Sequence, residues 1–180
     1  MFLDFSFSQQ SAAKSLMFKN MTFDKKELIK LFQNNLNDKI KALTEEALAQ
    51  RDAATNEESK AENKYDTRGL EASYIAQAYA SRIKEMQEGL YFLNKTLVSP
   101  YNNKIKVGDV VEICNVEKNI DQVKLQYFFI LPTGGIELIY NGAKIRSLSV
   151  TSPLGKKLLG LINGDELRLN KKTLEITKVY

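Results

Sequence analysis

The residues of this chain whose types and spacing could do chemistry crowd into 55–68, TNEESKAENKYDTR. Glu57, Glu58, Glu62 and Asp66 stand there among Lys60, Lys64 and Arg68, with no Gly or Pro to break the run. Thr55-x-x-Glu58 and Ser59-x-x-Glu62 both fit the capping box, in which a hydroxyl and a carboxylate satisfy free backbone N–H groups at a helix start. Residues 45–66 hold seven acids against three bases, although the whole chain carries a net charge of +4. The positive excess lies in 101–180, with 12 basic and 8 acidic residues, while 1–100 is balanced at 14 of each. An acidic tip on a basic body fits an asymmetric partner, one offering both a metal and an acidic or phosphate-bearing surface. The plainer alternative is a solvated helix surface.

What the chain lacks narrows the chemistry further. It has no histidine, which removes Ser-His-Asp and Cys-His nucleophilic machinery, HExxH zinc sites and His-tuned acid/base work. Cys114 is the only cysteine, so neither an intramolecular disulfide nor a Cys-based metal cluster is available. Any catalysis must use carboxylates, Lys, Tyr or an active site supplied by a partner. No run approaches the roughly 18 apolar residues needed to span a bilayer. A reducing cytoplasm is the expected compartment, with no membrane partner.

Two long helical patterns flank the acidic stretch. Residues 1–23 form an N-terminal arm that does not read as a signal peptide, because Asp4 stands where positive charge is needed. Asp24 and Glu27 then make a capping box, with Phe23 and Leu28 as its hydrophobic staple. Ile29, Phe32, Leu36, Ile40, Leu43 and Ala47 recur every three or four residues, as do Ala72, Ala76, Tyr79, Ile83, Met86, Leu90, Leu93 and Leu97. Residues 24–98 therefore read as a long antiparallel two-helix coiled-coil hairpin with its acidic tip near 55–66. Ser99-Pro100 ends the helical period.

Beyond it the pattern alternates. Residues 109–116, 123–131, 135–139 and 144–150 read as strands, and 166–169 with 173–179 as a closing hairpin. Ser152 before Pro153 marks one short helix start. The fold class is α+β, with 101–180 expected to be a separate, small and mostly antiparallel sheet domain carrying one short helix. Lys144, Arg146, Lys156, Lys157, Lys171 and Lys172 could form a basic patch there, although no nucleic-acid-binding motif accompanies them.

Two stretches together resemble the Gre-type transcript-cleavage factors of bacterial RNA polymerase. The C-terminal one is Ser152, Pro153, Gly155, Leu158, Gly160, Gly164 and Asp165, in the order S-P-x-G-x-x-L-x-G-x-x-x-G-D. The N-terminal one is the hairpin architecture with Glu62-Asn63 and Tyr65, which echo the family's tip segment D-x-K-E-N-x-E-Y. The resemblance spans roughly 24–180. It implies an FKBP-like C-terminal domain and a monomer that binds RNA polymerase, with Lys144, Arg146, Lys156 and Lys157 as candidate partner-binding residues. It also implies that the hairpin enters the secondary channel and meets the nascent RNA only within the complex.

On that resemblance Glu57, Glu58 and Glu62 are the tip acids that assist the polymerase's own cleavage of backtracked RNA, so the chain is not itself an enzyme. Glu58 and Glu62 are the ligands for a Mg²⁺ shared with the polymerase, and no cofactor is bound stably. Mg²⁺ suits such a site because it keeps several waters and needs only one or two protein carboxylates. The sequence departs from the family at Ser59, which stands where the first of two paired tip acids is expected. That leaves open a Gre-like regulator that occupies the channel without promoting cleavage. Two other classes also stay open: an FKBP-like peptidyl-prolyl isomerase using Tyr101, Tyr127, Phe128, Phe129 and Tyr140, and a structural coiled-coil adaptor.

Overall fold

The start of the first helix shows how arm and sheet are joined. The computed structural model describes residues 22–55, 67–96, 104–115 and 125–180. Helix α1 (Lys25–Thr55) begins where the Asp24 carboxylate accepts the N–H groups of Lys26 at 2.9 Å and Glu27 at 3.2 Å. The expected capping box is completed differently. Glu27 accepts the Tyr140 hydroxyl at 2.9 Å instead of reaching back, and the N–H of Asp24 donates to that same hydroxyl at 3.2 Å. Phe23 lies against Tyr127, Tyr140 and Tyr180, with ring centroids 5.5, 5.7 and 4.5 Å away. The helix is thus capped by the sheet as well as by its own sequence.

Helix α2 (Arg68–Lys95) runs beside α1 and packs along it. At 1.5 Å per residue, the 31 residues of α1 reach roughly 46 Å. Burial is graded along that length. Leu28, Ile29, Phe32 and Leu36 of α1 and Met86, Gly89 and Leu93 of α2 are buried, all near the base. Further out, Ile40, Leu43, Ala47, Ala72, Ala76 and Tyr79 are only half-buried, while Leu48, Leu70, Tyr74 and Ile75 are exposed.

The sheet holds β1 (Val110–Asn115), β2 (Gln126–Leu131), β3 (Glu137–Tyr140), β4 (Ala143–Ser149), β5 (Glu166–Leu169) and β6 (Lys172–Val179) in the order β3-β4-β2-β1-β6-β5. Every junction is antiparallel except β2–β4, which is parallel. A two-residue turn at Asn141-Gly142, both with positive φ (48° and 78°), joins β3 to β4, as tight hairpins require. Helix α3 (Pro153–Leu158) crosses one face.

Strand β2 is central and apolar on both sides, as its sequence QYFFIL demands. Tyr127, Phe129 and Leu131 face the helical arm, and Phe128 and Ile130 face the cluster containing Leu158 of α3. The hairpin base and this sheet face share one buried cluster. Phe32 of α1 meets Phe129 edge-to-face at 5.0 Å, and Leu28, Ile29, Leu36, Met86 and Leu93 pack into the same cluster as Val110, Leu131 and Ile145. Neither the hairpin base nor that sheet face can bury its apolar surface alone, and joining them removes both from water.

Polar contacts fix the joint. Lys25 donates to the fully buried Asp109 carboxylate at 3.0 Å, and Asp109 also accepts the N–H of Lys106 at 3.0 Å. Arg82 of α2 donates to the carbonyl of Gly134 at 2.7 Å. Gly89 sits where α2 presses on the β2–β3 loop, and a Cβ there would collide with the Thr133 Cγ2 methyl.

Two substitutions test this joint. Lys25→Met leaves Asp109 a buried charge without its cation and should lower the unfolding free energy by about 3–5 kcal/mol. Adding Asp109→Asn should recover part of that loss, whereas a loss below about 1 kcal/mol would show the pair to be energetically idle. Gly89→Ala should gain about 1 kcal/mol in helix propensity yet lose about 1–3 kcal/mol by overpacking, a net destabilisation in denaturant unfolding. In a Thr133→Ser background, which removes the methyl, most of the loss should vanish; an equal loss in both backgrounds would contradict the close approach.

Candidate functional site

Glu57, Glu58 and Glu62, together with Ser59, Asn63, Tyr65 and Asp66, lie outside the described residues, as do residues 1–21 and Tyr101. The helix ends leading to that segment are described. Thr55 closes α1, its hydroxyl donating to the Arg51 carbonyl at 3.0 Å. The capping box expected between Thr55 and Glu58 falls on Glu58, outside the described residues. Helix α2 opens after Thr67, whose hydroxyl donates to the Glu71 carboxylate at 2.7 Å. Nearer the seam, Glu46 raises the Tyr79 phenol above its usual value by hydrogen bonding first and by its charge second.

The four expected partner-binding cations sit on two elements, Lys144 and Arg146 on β4 and Lys156 and Lys157 on α3. Lys144 and Arg146 share Glu137, with the Lys144 Nζ 2.6 Å from one carboxylate oxygen and the Arg146 Nε 3.0 Å from the other. Those hydrogen bonds, from Lys144 first and Arg146 second, hold the Glu137 carboxyl below the ordinary carboxylate range. Lys157 instead donates to the Arg168 carbonyl at 2.6 Å, tying α3 to β5, while Lys156 is exposed on the same short helix.

The S-P-x-G motif builds structure. The Ser152 hydroxyl accepts the Gly155 N–H at 3.0 Å and donates to the Ser149 carbonyl at 2.7 Å, with Pro153 at the first helical position. A Cβ at Gly155 would collide with that same Ser149 carbonyl oxygen. Leu158 is fully buried, and Asp165 closes the next turn by accepting the Ile162 N–H at 2.9 Å. Each of these residues has a local structural job, so the motif marks a fold and not a reaction centre.

Tyr127, Phe128, Phe129 and Tyr140, considered above as an isomerase lining, are all packed into the cores. Sequence reasoning passed over Asp109 and Glu112. Glu112 is buried in β1, accepting the Thr177 hydroxyl at 2.6 Å and the Tyr180 hydroxyl at 3.2 Å. Burial first, and Glu112's charge second, push the Tyr127 and Tyr180 phenols well above their usual value. The available signal was a lone acid inside the apolar run VVEICN. Among the described residues no three His, Cys, Asp or Glu side chains converge on a metal position, and no helix is long and apolar enough to cross a membrane.

The solved structures to which this chain is similar include two at low identity. GreA factor homolog 1 of Thermus thermophilus is 17% identical with a TM-score of 0.31, over 82% of this chain and 94% of that one. A structure of the transcription factor Gfh1 is 20% identical with a TM-score of 0.33, over 89% of this chain and 96% of that one. No family model and no curated protein matches. Similarity at that level leaves function to be read from the chain's own residues.

The Glu137 clamp makes a pH prediction. Because the folded value is depressed, the ion pairs are intact above the unfolded carboxylate value and are lost as pH falls through the lower folded one. Carboxyl NMR titration of Glu137 should give a value below the ordinary range, moving up to it in Lys144→Ala, Arg146→Ala. An unmoved titration would assign the shift to something else.

Proposed function

We propose that this chain is a Gre-type factor that docks on bacterial RNA polymerase as a monomer and presents its acidic tip to the polymerase's catalytic centre through the secondary channel. One observation carries the reading. Among the described residues, every buried side chain of the hairpin lies near its base, and the outer half contributes none. An outer half that adds so little to the core, yet leads to an acidic segment, is built for reach. The S-P-x-G motif and the Glu62-Asn63, Tyr65 echo supply the family resemblance.

In this reading Glu58 and Glu62 offer hard carboxylate oxygens to a Mg²⁺ shared with the polymerase, and Glu57 adds negative charge beside them. The bound ion would activate water against a phosphodiester of backtracked RNA. The chain's own part is to bring the carboxylates there, with nascent RNA met only inside the complex. Such work belongs in the cytoplasm. Ser59 in the place of a paired acid favours a second reading, a regulator that occupies the channel without stimulating cleavage.

The test uses the full chain, because the sheet alone would lose the helices that cover one face. Polymerase binding and stimulated cleavage of a backtracked transcript are compared for wild type, Glu58→Gln, Glu62→Gln and the double variant. Folding and binding should persist, since charge near a helix end is worth only about 0.3–1 kcal/mol. Cleavage should fall sharply with Glu62→Gln and further with both changes. Normal cleavage by the double variant would rule out the metal-holding role, and binding without cleavage by the wild type would establish the second reading.

A further inference from the structure

One corner of the sheet stays open on the face that carries α3. Alternation places Glu137 and Ile139 of β3 and Lys144 and Arg146 of β4 on that face, because Leu138, Tyr140, Ala143 and Ile145 point into the core shared with the arm. In register, Glu137 stands opposite Arg146 and Ile139 opposite Lys144. Ile139, on the edge strand of this group, is 62% exposed. A shallow depression alongside is lined by Leu125, Gln126, Tyr127 and the same two cations. Strand β3 is also a sheet edge, with no described strand on its outer side.

We infer that this corner docks an acidic segment of the protein partner, and that Glu137 is the internal stand-in the partner's carboxylate displaces. The cations already grip a carboxylate, one on each oxygen, and the Arg146 guanidinium does so through its Nε. A partner carboxylate would take over a fork that is already set at the right spacing. An exposed isoleucine amid the charges and a free strand edge suit a polypeptide with apolar side chains. A phosphate backbone would find only one net positive charge here while Glu137 stays in place. Lys156 and Lys157, carried on α3 itself, are not part of this surface.

The inference rests on the polymerase reading and names the chemistry of its contact. Affinity of the full chain for core RNA polymerase is measured for wild type, Glu137→Gln, Lys144→Ala with Arg146→Ala, and Ile139→Ser, with thermal melting to confirm that each is folded. Removing the competitor should tighten binding about 3–10-fold, and removing both cations should weaken it about 10-fold and flatten its salt dependence. Glu137→Gln should gain nothing once the cations are gone, and Ile139→Ser should weaken binding on its own. Wild-type binding that Glu137→Gln leaves unchanged or weakens would overturn the displacement. No wild-type binding would instead sink the polymerase reading, and with it the partner assigned to this corner.

Discussion

Strand β2 must be covered on both faces, and the rest of the structure follows from that constraint. Phe128 and Ile130 are sealed by the cluster that includes Leu158 of α3. Tyr127, Phe129 and Leu131 point the other way, where the hairpin base closes over them. Phe32 set edge-to-face on Phe129 is the centre of that closure, a geometry that adds roughly 0.5–1.5 kcal/mol to the burial of the rings. The arm therefore originates inside the core and is not tethered to it by a linker alone.

The consequence is a lever with an uneven distribution of stability. Its base carries large buried side chains, a buried ion pair at Lys25–Asp109 and the Arg82–Gly134 contact. Its outer half offers half-buried alanines and exposed Leu48, Leu70, Tyr74 and Ile75. Long helices in water draw most of their stability from packing, so the outer half depends on propagation from the base. A firm origin with a lightly packed outer half is consistent with the role proposed above.

Much of this was legible in the sequence because it is local. The two helical stripes, all six strands and the Ser152-Pro153 start depend on periods of 3.6 and 2 and on caps, and each is found within a residue or three of its expected place. The parallel β2–β4 pair was not legible, because alternation tells which face a residue takes and not which strand lies beside it. The shared core was missed for a related reason: the same stripe of Leu28, Phe32 and Leu36 serves a helix partner or a sheet equally well. The basic residues were visible as a composition, but only three-dimensional register reveals that Glu137 bridges two of them and that Lys157 serves the β5 backbone. The tip acids remain known from sequence alone.

Native-state hydrogen exchange tests the shared core most directly. Amides of Leu28, Phe32 and Leu36 in α1 and of Phe128, Phe129 and Ile130 in β2 should exchange with the same opening free energy, the global one, and respond equally to denaturant. Amides in the outer turns of α1 and α2 should open at lower free energy. Base amides of α1 that exchange well below the global limit while β2 stays protected would show that arm and sheet are separate units, and would contradict the account.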